Sequence, residues 1–334
     1  MRMQILRHYQ EVPAASRGAA VALGNFDGVH RGHQEIIAKA MRLAQELEVP
    51  PAVVTFEPHP RQVFKPDCEA FRLTPFRVKA RLIEALGVEV LFALPFDRAF
   101  ANLSAEDFVL QVLVQGLGLR YLVVGDNFRF GKGRQGDIAL LTEMGRGNGF
   151  GVTSVPLITS KNDEAYSSTL VRHYLKNGNP TRAALLLGRY WEIEGKVEKG
   201  DQRGRTIGFP TANVSLGETL QPAYGVYAVR AAIENGGGTI EWRAGVANLG
   251  LRPTVAGTEP RLEVHLFDFA DDIYGKHLRV ALVDHLRPEQ KFADLEALKA
   301  QIEVDSRRAM ATLRLGEWHD KWPASSFIAH PPEG

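Results

Sequence analysis

Cysteine is all but missing from this chain: Cys68 stands alone among 334 residues. An intrachain disulfide is excluded, and the composition is that expected of a reducing compartment such as the cytoplasm. Long apolar runs are missing too, so no segment approaches membrane-spanning length. The opening residues, Met1-Arg2-Met3-Gln4-Ile5-Leu6-Arg7-His8, lack the apolar core of a secretory signal. Neither sign of charge is in excess: 40 Lys and Arg face 39 Asp and Glu, for a formal net charge of +1. That removes the basic footprint of a nucleic-acid binder. No GxxxxGK[ST] string occurs, which excludes a P-loop kinase as a motif-based reading. The expectation is a soluble cytoplasmic protein with small-molecule partners, no nucleic acid, no membrane and room for a weak homo-oligomer. At this length two domains are the natural prior.

What is present divides the chain in two. From residue 19 to about 186, strand-like runs at Ala19–Leu23, Ala52–Phe56, Val90–Leu94, Tyr121–Gly125 and Gly151–Leu157 alternate with helical patterns. The helical patterns cover Gln34–Leu47, Phe76–Leu86, Ser104–Leu117 and Asp137–Arg146, with Ser104 and Asp107 spaced as a capping box. Near-continuous apolar strands between helices predict a parallel sheet covered on both faces, with ligands beyond the carboxyl ends of its strands.

The motifs of this half lie at or beyond strand ends. The first string is Gly24-Asn25-Phe26-Asp27-Gly28-Val29-His30-Arg31-Gly32-His33, where a strand turns into a helix. Free backbone N–H groups and the positive end of a helix dipole favour a phosphate there. His30 and His33, at i and i+3, add two imidazoles to the first turn. The plain alternative is a pair of surface histidines; zinc would need a third ligand and the usual i,i+4 pair. Phe56-Glu57-Pro58-His59-Pro60 reads as a rigid polar loop or simply a strand-ending turn. Val124-Gly125-Asp126-Asn127-Phe128-Arg129-Phe130-Gly131 alternates aromatics with an arginine able to stack on a flat ring and meet a phosphate. Ser167-Ser168-Thr169-Leu170-Val171-Arg172 opens a helix with hydroxyls that are either caps or, with Arg172 one turn on, a phosphate site. Gly131-Lys132-Gly133-Arg134-Gln135-Gly136 satisfies GxGxxG, yet it joins no strand to a helix and lacks the acid about 20 residues on. It reads as a flexible glycine loop.

After Leu187 the pattern becomes strand alternation with one wet face, from Trp191 to Val197. Further runs at Gly225–Ile233, Ile240–Asn248, Arg261–Phe269 and Leu278–His285 have no helical crossover between them, which predicts an antiparallel barrel. Asn235-Gly236-Gly237-Gly238 is a predicted hairpin turn. A closing helix carries Phe292, Leu295, Leu298, Ile302, Ala309 and Leu313 on its apolar side, and a loose tail follows from Trp318. In Gly204-Arg205-Thr206-Ile207-Gly208-Phe209-Pro210-Thr211-Ala212-Asn213 the glycines admit a phosphate and Pro210 fixes the loop. Thr211 and Asn213 offer neutral oxygens suited to a Mg²⁺ already balanced by phosphate charge. A turn before a strand is the plain alternative.

Both halves resemble known families. GNFDGVHxGH is similar to the nucleotidyltransferase signature carried by bacterial FAD synthetases. Phe56 and His59 match a family segment bordering the nucleotide and flavin site. Gly125–Gly131 resembles GxDFRFG, with Asn127 in place of the second acid. Ser167–Arg172 resembles the family's SSTxIR, which implies that Ser168, Thr169 and Arg172 hold the β- and γ-phosphates of ATP. The resemblance further implies ATP contacts by Gly24, Asn25, Phe26, Asp27, Gly28 and Asn127, and flavin contacts by Phe56, His59, Phe128 and Arg129. His30 and His33 are implied as the catalytic donors to phosphate oxygens. GxxxGFPTAN resembles the riboflavin-kinase hallmark and implies ATP binding by Gly204, Arg205, Gly208, Pro210, Thr211 and Asn213. Glu263, in Leu262-Glu263-Val264-His265-Leu266-Phe267-Asp268-Phe269, is the implied base; without the resemblance it is a wet-face strand acid. His265 reads as structural.

The two families occur fused in this order in bacterial bifunctional riboflavin kinase/FAD synthetases. The expected fold is an α/β Rossmann-like nucleotidyltransferase domain with a parallel sheet, residues 1–186, then an antiparallel riboflavin-kinase-like β-barrel with a closing helix, residues 187–318. Residues 319–334 would be the tail. The implied activity is phosphorylation of riboflavin to FMN and adenylylation of FMN to FAD, using ATP and Mg²⁺. Two other readings stay open here: a nucleotidyltransferase for another phosphorylated acceptor, and a catalytically dead flavin-binding regulator.

Overall fold

A computed structural model of the chain describes residues 2–159, 164–199, 208–234, 240–254 and 257–315. The predicted turn at Asn235–Gly238, the segment from Trp318 and the candidates Gly204 and Arg205 lie outside them. Packing divides the chain into two compact units. One comprises the described residues of Met1–Glu69 and Thr74–Ser167, the other Ala70–Leu73 and those of Ser168–Asp320.

The first unit is built on six strands: β1 (Gln4–Leu6), β2 (Ala20–Leu23), β3 (Pro51–Glu57), β4 (Val90–Pro95), β5 (Tyr121–Gly125) and β6 (Gly151–Val155). They form one sheet in the order β1-β4-β3-β2-β5-β6, and every neighbouring pair is parallel. The helices are α1 (Arg31–Leu47), α2 (Pro60–Phe64), α3 (Phe76–Ala85), α4 (Arg98–Ala101), α5 (Ala105–Asp107) and α6 (Ile138–Asn148). Alternate strand residues go to opposite faces. Val21, Leu23, Val54 and Phe92 pack with Phe108, Val112 and Leu141 on one side. Ala20, Ala22, Val53 and Leu91 pack with Ile37, Ala40 and Ile83 on the other. Both faces are covered, as the near-continuous apolar strands require.

The sequence reading missed β1, a short strand at the sheet edge whose residues are mostly exposed. It also ran the last strand on to Leu157, which is exposed beyond the observed end at Val155. The helix expected from Ser104 to Leu117 is present, but from Phe108 to Leu117 it is wound as a π-helix. Its start has the expected cap: Asp107 N–H donates to Ser104 Oγ, and that hydroxyl donates to Asp107 Oδ2, both at 2.9 Å.

The second unit begins with α7 (Ser168–Lys176) and α8 (Pro180–Leu187). A closed barrel follows, made of β7 (Trp191–Glu198), β8 (Ala212–Ser215), β9 (Gly225–Glu234), β10 (Trp242–Thr254), β11 (Gly257–Leu266) and β12 (His277–Arg287). Its order is β10-β11-β8-β7-β12-β9 and all its pairs are antiparallel. The closing helix, α9 (Leu295–Leu315), buries Ala309 and Leu313 against Val226, Ala228, Val246 and Val283 on the outside of the barrel. The predicted apolar stripe is buried only toward its C-terminal half. Leu295 is exposed, and Phe292 precedes the helix with the Arg287 guanidinium 5.7 Å from its ring centre.

Ala70–Leu73 joins this second unit although it lies early in the chain. Leu220 N–H donates to Arg72 O (2.8 Å), and Trp191 Nε1–H donates to Leu73 O (2.8 Å).

Candidate active sites

Because β2 has β3 on one side and β5 on the other, the chain reverses its direction of travel across the sheet at the β2/β5 boundary. In open parallel sheets ligands bind outside the carboxyl ends at such a point. The stretch from Gly24 to His30 fills the gap between β2 and α1 there. Phe26 (φ +48°), Gly28 (φ +89°) and Val29 (φ +43°) all take left-handed backbone conformations. For the two residues with side chains this strain is of order 1–3 kcal/mol each and must be held by the surroundings. Burial of Phe26 and Val29 supplies part of that hold. The rest comes from Thr74: its N–H (2.9 Å) and hydroxyl (3.2 Å) donate to Asp27 Oδ1, and the hydroxyl accepts from Gly28 N–H (2.9 Å). Asp27 is only 2% exposed, so its carboxylate serves the loop's shape.

His30 caps α1. Its Nδ1 accepts from His33 N–H at 3.3 Å, which leaves the ring proton on Nε2 as a hydrogen-bond donor. The two imidazoles stack with centroids 3.5 Å apart and 22° between planes, and the Phe26 ring meets His33 edge-on at 5.2 Å. A Cβ on Gly32 would lie 3.3 Å from the His30 ring and 3.2 Å from Tyr166 O. Glycine at 32 thus permits the close packing of this turn. The zinc alternative finds no support: His30 Nδ1 is used as a cap, and no described cluster of three His, Cys, Asp or Glu could hold a metal.

Beyond the strand ends lies a cavity of about 700 Å³. Gly24 and Asn25 reach it from the loop after β2, Phe56 and His59 from the end of β3, and Asn127, Phe128 and Arg129 from the loop after β5. All four flavin-contact candidates therefore line one space. Its walls are aromatic: Phe56 packs against Phe96 and Phe100, each at 5.6 Å, and Phe128 stacks on Phe130 at 5.7 Å. Among the described residues its lining also holds Arg61, Arg98, Arg129, Lys132 and Arg134 and no carboxylate, in a chain of balanced charge. Sequence reasoning missed Phe96, Phe100 and four of these cations. Lys132 and Arg134 come from the loop read only as flexible. It is closed by paired backbone bonds between Phe130 and Gly136 (2.9 and 3.1 Å), and a Cβ at Gly131 would lie 2.7 Å from the Ala105 backbone.

Two candidates here have structural partners. His59 caps α2, with Nδ1 accepting from Arg61 N–H at 3.1 Å. Arg129 pairs with Asp137 at 2.9 Å. The Leu140 N–H, donating at 3.0 Å, and the Arg129 guanidinium hold the Asp137 carboxyl below its ordinary range.

Ser168, Thr169 and Arg172 belong to the second unit, on the first turns of α7. Arg172 Nε–H donates to Phe71 O at 2.9 Å, and its guanidinium lies 5.6 Å from the Phe71 ring centre.

In the barrel the register does what sequence spacing cannot. Glu263 on β11 lies directly opposite Asn213 on β8 and, on its other side, opposite Asn248 on β10. Directly paired residues share a sheet face. Leu262, Val264 and Leu266 are the buried residues of β11, which puts Glu263 and its row on the opposite, outer face. Asn213 is 6% exposed. Glu198, opposite Asn213 on β7, is ion-paired with Arg261 at 3.1 Å. His265 Nδ1–H donates to Pro210 O (2.9 Å) and its ring meets Phe209 edge-on at 5.4 Å. This ties Gly208–Thr211 to the strand bearing Glu263. Asn248 ends the strand-like run Ile240–Asn248, but nothing in its spacing places it beside Glu263.

The neutral oxygens of Thr211 and Asn213, with Glu263 opposite on one side and the Arg261-paired Glu198 on the other, fit a Mg²⁺ that arrives on ATP better than a resident metal in an all-protein cage.

Residues 12–170 match the FAD synthetase family and residues 187–313 the riboflavin kinase family. The chain is 43% identical over 308 residues to the bifunctional riboflavin kinase/FMN adenylyltransferase of Escherichia coli (strain K12), covering 92% of this chain and 97% of that one. It is 40% identical over 297 residues to the protein of the same name from Bacillus subtilis (strain 168), covering 87% and 92%. A crystal structure described as a macrolide-efflux protein from Streptococcus pneumoniae superposes with a TM-score of 0.80 at 31% identity, covering 91% of this chain and 97% of that one. Among the described residues no helix is long and apolar enough to cross a membrane.

Proposed function

The chain belongs to the family of bifunctional riboflavin kinase/FMN adenylyltransferases and makes FMN from riboflavin and FAD from FMN, and we propose that the two reactions run at two separate sites. Residues 1–186 carry the adenylylation and residues 187–318 the phosphorylation. The two rival readings from the sequence, another acceptor and an inactive regulator, fall away with the family.

FAD formation is assigned to the cavity beyond β2, β3 and β5. The FMN phosphate attacks the α-phosphorus of ATP and pyrophosphate leaves, a transfer that depends on positioning and charge stabilisation more than on covalent chemistry. His30, through Nε2–H, and His33 donate to phosphate oxygens as charge builds on them. The first-turn N–H groups of α1 add to that field. Gly24, Asn25, Phe26, Gly28 and Asn127 shape the nucleotide side, with Asp27 holding the loop from within. The flavin rings lie against Phe56 and Phe128, beside His59 and Arg129. Ser168, Thr169 and Arg172 are assigned to the β- and γ-phosphates of ATP on the family resemblance.

FMN formation is assigned to the row on the outer face of the barrel. Glu263 accepts the proton of the ribityl 5′-hydroxyl as that oxygen attacks the γ-phosphorus of ATP. Thr211 and Asn213 would hold Mg²⁺, which neutralises charge on the transferring phosphoryl group. Gly208 and Pro210 shape the phosphate loop, with Gly204 and Arg205 assigned by resemblance. ATP as a shared substrate supports a cytoplasmic place of work.

The observation that carries the two-site reading is the register that sets Glu263 opposite Asn213, two residues that are not among those lining the cavity beyond β2, β3 and β5. Purified protein incubated with riboflavin, ATP and Mg²⁺ and followed by chromatography tests it. FMN should rise first and FAD later, and a supply of FMN alone should give FAD without a lag. FAD without FMN ever accumulating or exchanging would count against two separate sites.

A further inference from the structure

Helix α3 buries Val78, Leu82 and Ile83, and on the same apolar stripe it buries Lys79 completely. A buried ammonium is expensive unless it is paired and hydrogen-bonded. Here Lys79 Nζ donates to Glu57 Oε1 at 2.9 Å and to Thr55 Oγ1 at 3.3 Å. The Thr55 hydroxyl in turn donates to Asn25 O at 3.1 Å. One cation therefore reaches two strand-end loops. Asn25 lies in the turn that carries His30 and His33, and Glu57 immediately precedes the Pro58-His59 segment; Asn25, Phe56 and His59 all line the cavity. The proposed adenylylation chemistry uses none of Lys79, Thr55 or Glu57.

We propose that Lys79 is a positioning residue for FAD formation. Through Thr55 and Glu57 it fixes the spacing between the histidine loop, which meets the phosphates, and the β3 end, which meets the flavin. The relay Lys79–Thr55–Asn25 sets the depth of the histidine loop, and the pair Lys79–Glu57 sets the opposite wall. Misplacement of reacting groups by about 1 Å can cost 10²-fold in rate. The inference rests on the assignment of FAD formation to this cavity.

Lys79→Met alone leaves Glu57 in a mostly buried place without this cation, so loss of folding is a rival outcome for that variant. The test therefore uses Lys79→Met together with Glu57→Gln, which removes both charges at once; such replacements are often neutral for stability. His33→Ala is made alongside. The expected result for the double variant is a melting temperature near that of the parent and riboflavin phosphorylation within about twofold, with kcat for FAD formation down by about tenfold or more. FAD formation within about threefold of the parent overturns the proposal. So does a change confined to KM for FMN, because positioning acts in the transition state. Equal loss of both activities with a lowered melting temperature also overturns it, since that is the signature of a merely structural lysine. If His33→Ala keeps full FAD formation, the cavity assignment itself fails and this inference falls with it. If only the double variant stays active, the inference alone fails.

Discussion

In the parallel sheet the central strands are buried on both faces, and the candidate residues gather on loops beyond β2, β3 and β5. In the barrel one strand face is core and the other is available, and the candidates sit in mid-strand, side by side across β10, β11 and β8. The two regions solve one problem, bringing a phosphate donor to an acceptor, with opposite use of the strand. A strand covered on both sides can offer chemistry only where it ends, so its site is made of strained loops such as Phe26–Val29. A strand with a free face can offer a side chain anywhere, so its site is made of register. The first kind depends on what braces the loop. The second depends on which residue lies opposite which.

Substitutions that separate the halves test this contrast. Glu263→Gln should have the largest effect: removal of a general base lowers FMN formation by about 10²–10⁴ while FMN supplied directly is still adenylylated. If FMN production survives within about tenfold, Glu263 is not the base and the register argument for the barrel breaks. His33→Ala should lower FAD formation by about 10²–10³, the usual cost of one oriented donor, or about 2.7–4 kcal/mol of barrier. FMN formation by the same protein should be unchanged, and equal loss of both would break the two-site contrast.

Thr74→Val asks whether the strand-end site depends on its bracing. It removes the hydroxyl that joins Asp27 Oδ1 to Gly28 N–H. The expected cost is about 1–3 kcal/mol of stability in urea unfolding, with FAD formation falling and FMN formation kept. An unchanged rate of FAD formation would mean that the loop holds its shape without this link. The smallest expected effect belongs to the barrel. Tyr227 is buried there, its hydroxyl donating to Ala223 O, and burial raises its phenol above the ordinary 10. Above that pH an unfolded tyrosine loses its proton while the folded one keeps it. The folded state then binds more protons, and its stability falls as pH rises. Urea midpoints at neutral pH and about one unit above 10 should converge for Tyr227→Phe relative to the parent. A parent with no alkaline loss would refute this account.

The first site was easier to read in the sequence than the second. Gly24 to His33 is one contiguous string, and a strand-to-helix turn is a local event that spacing and residue type describe. The cavity's other walls were half legible: Phe56 and Phe128 stood in motifs, whereas Phe96, Phe100, Arg61 and Arg98 come from segments without one. Lys79 left a signal that went unused, a lone charge on the stripe shared with Val78, Leu82 and Ile83. In the barrel, Asn213 and Glu263 were found as members of separate strings, but their adjacency is a matter of pairing between distant strands. Asn248 was invisible as a partner for the same reason. The short strand β8 stands in the sequence only as the plain alternative to a phosphate loop, because four residues carry too little alternation to declare a strand.

The segment Ala70–Leu73 has a consequence for how the protein is made. It lies among residues that are synthesised early, yet its hydrogen-bond partners Leu220 and Trp191 lie in the last half of the chain. On the ribosome this short stretch must leave the exit tunnel and wait, unmatched, while the first sheet closes around its neighbours on either side. A gene cut ahead of α7 or β7 would yield a barrel without that stretch, with Trp191 deprived of its acceptor at Leu73. The second unit thus draws on two separate stretches of the sequence, and a truncation ahead of α7 removes one of them.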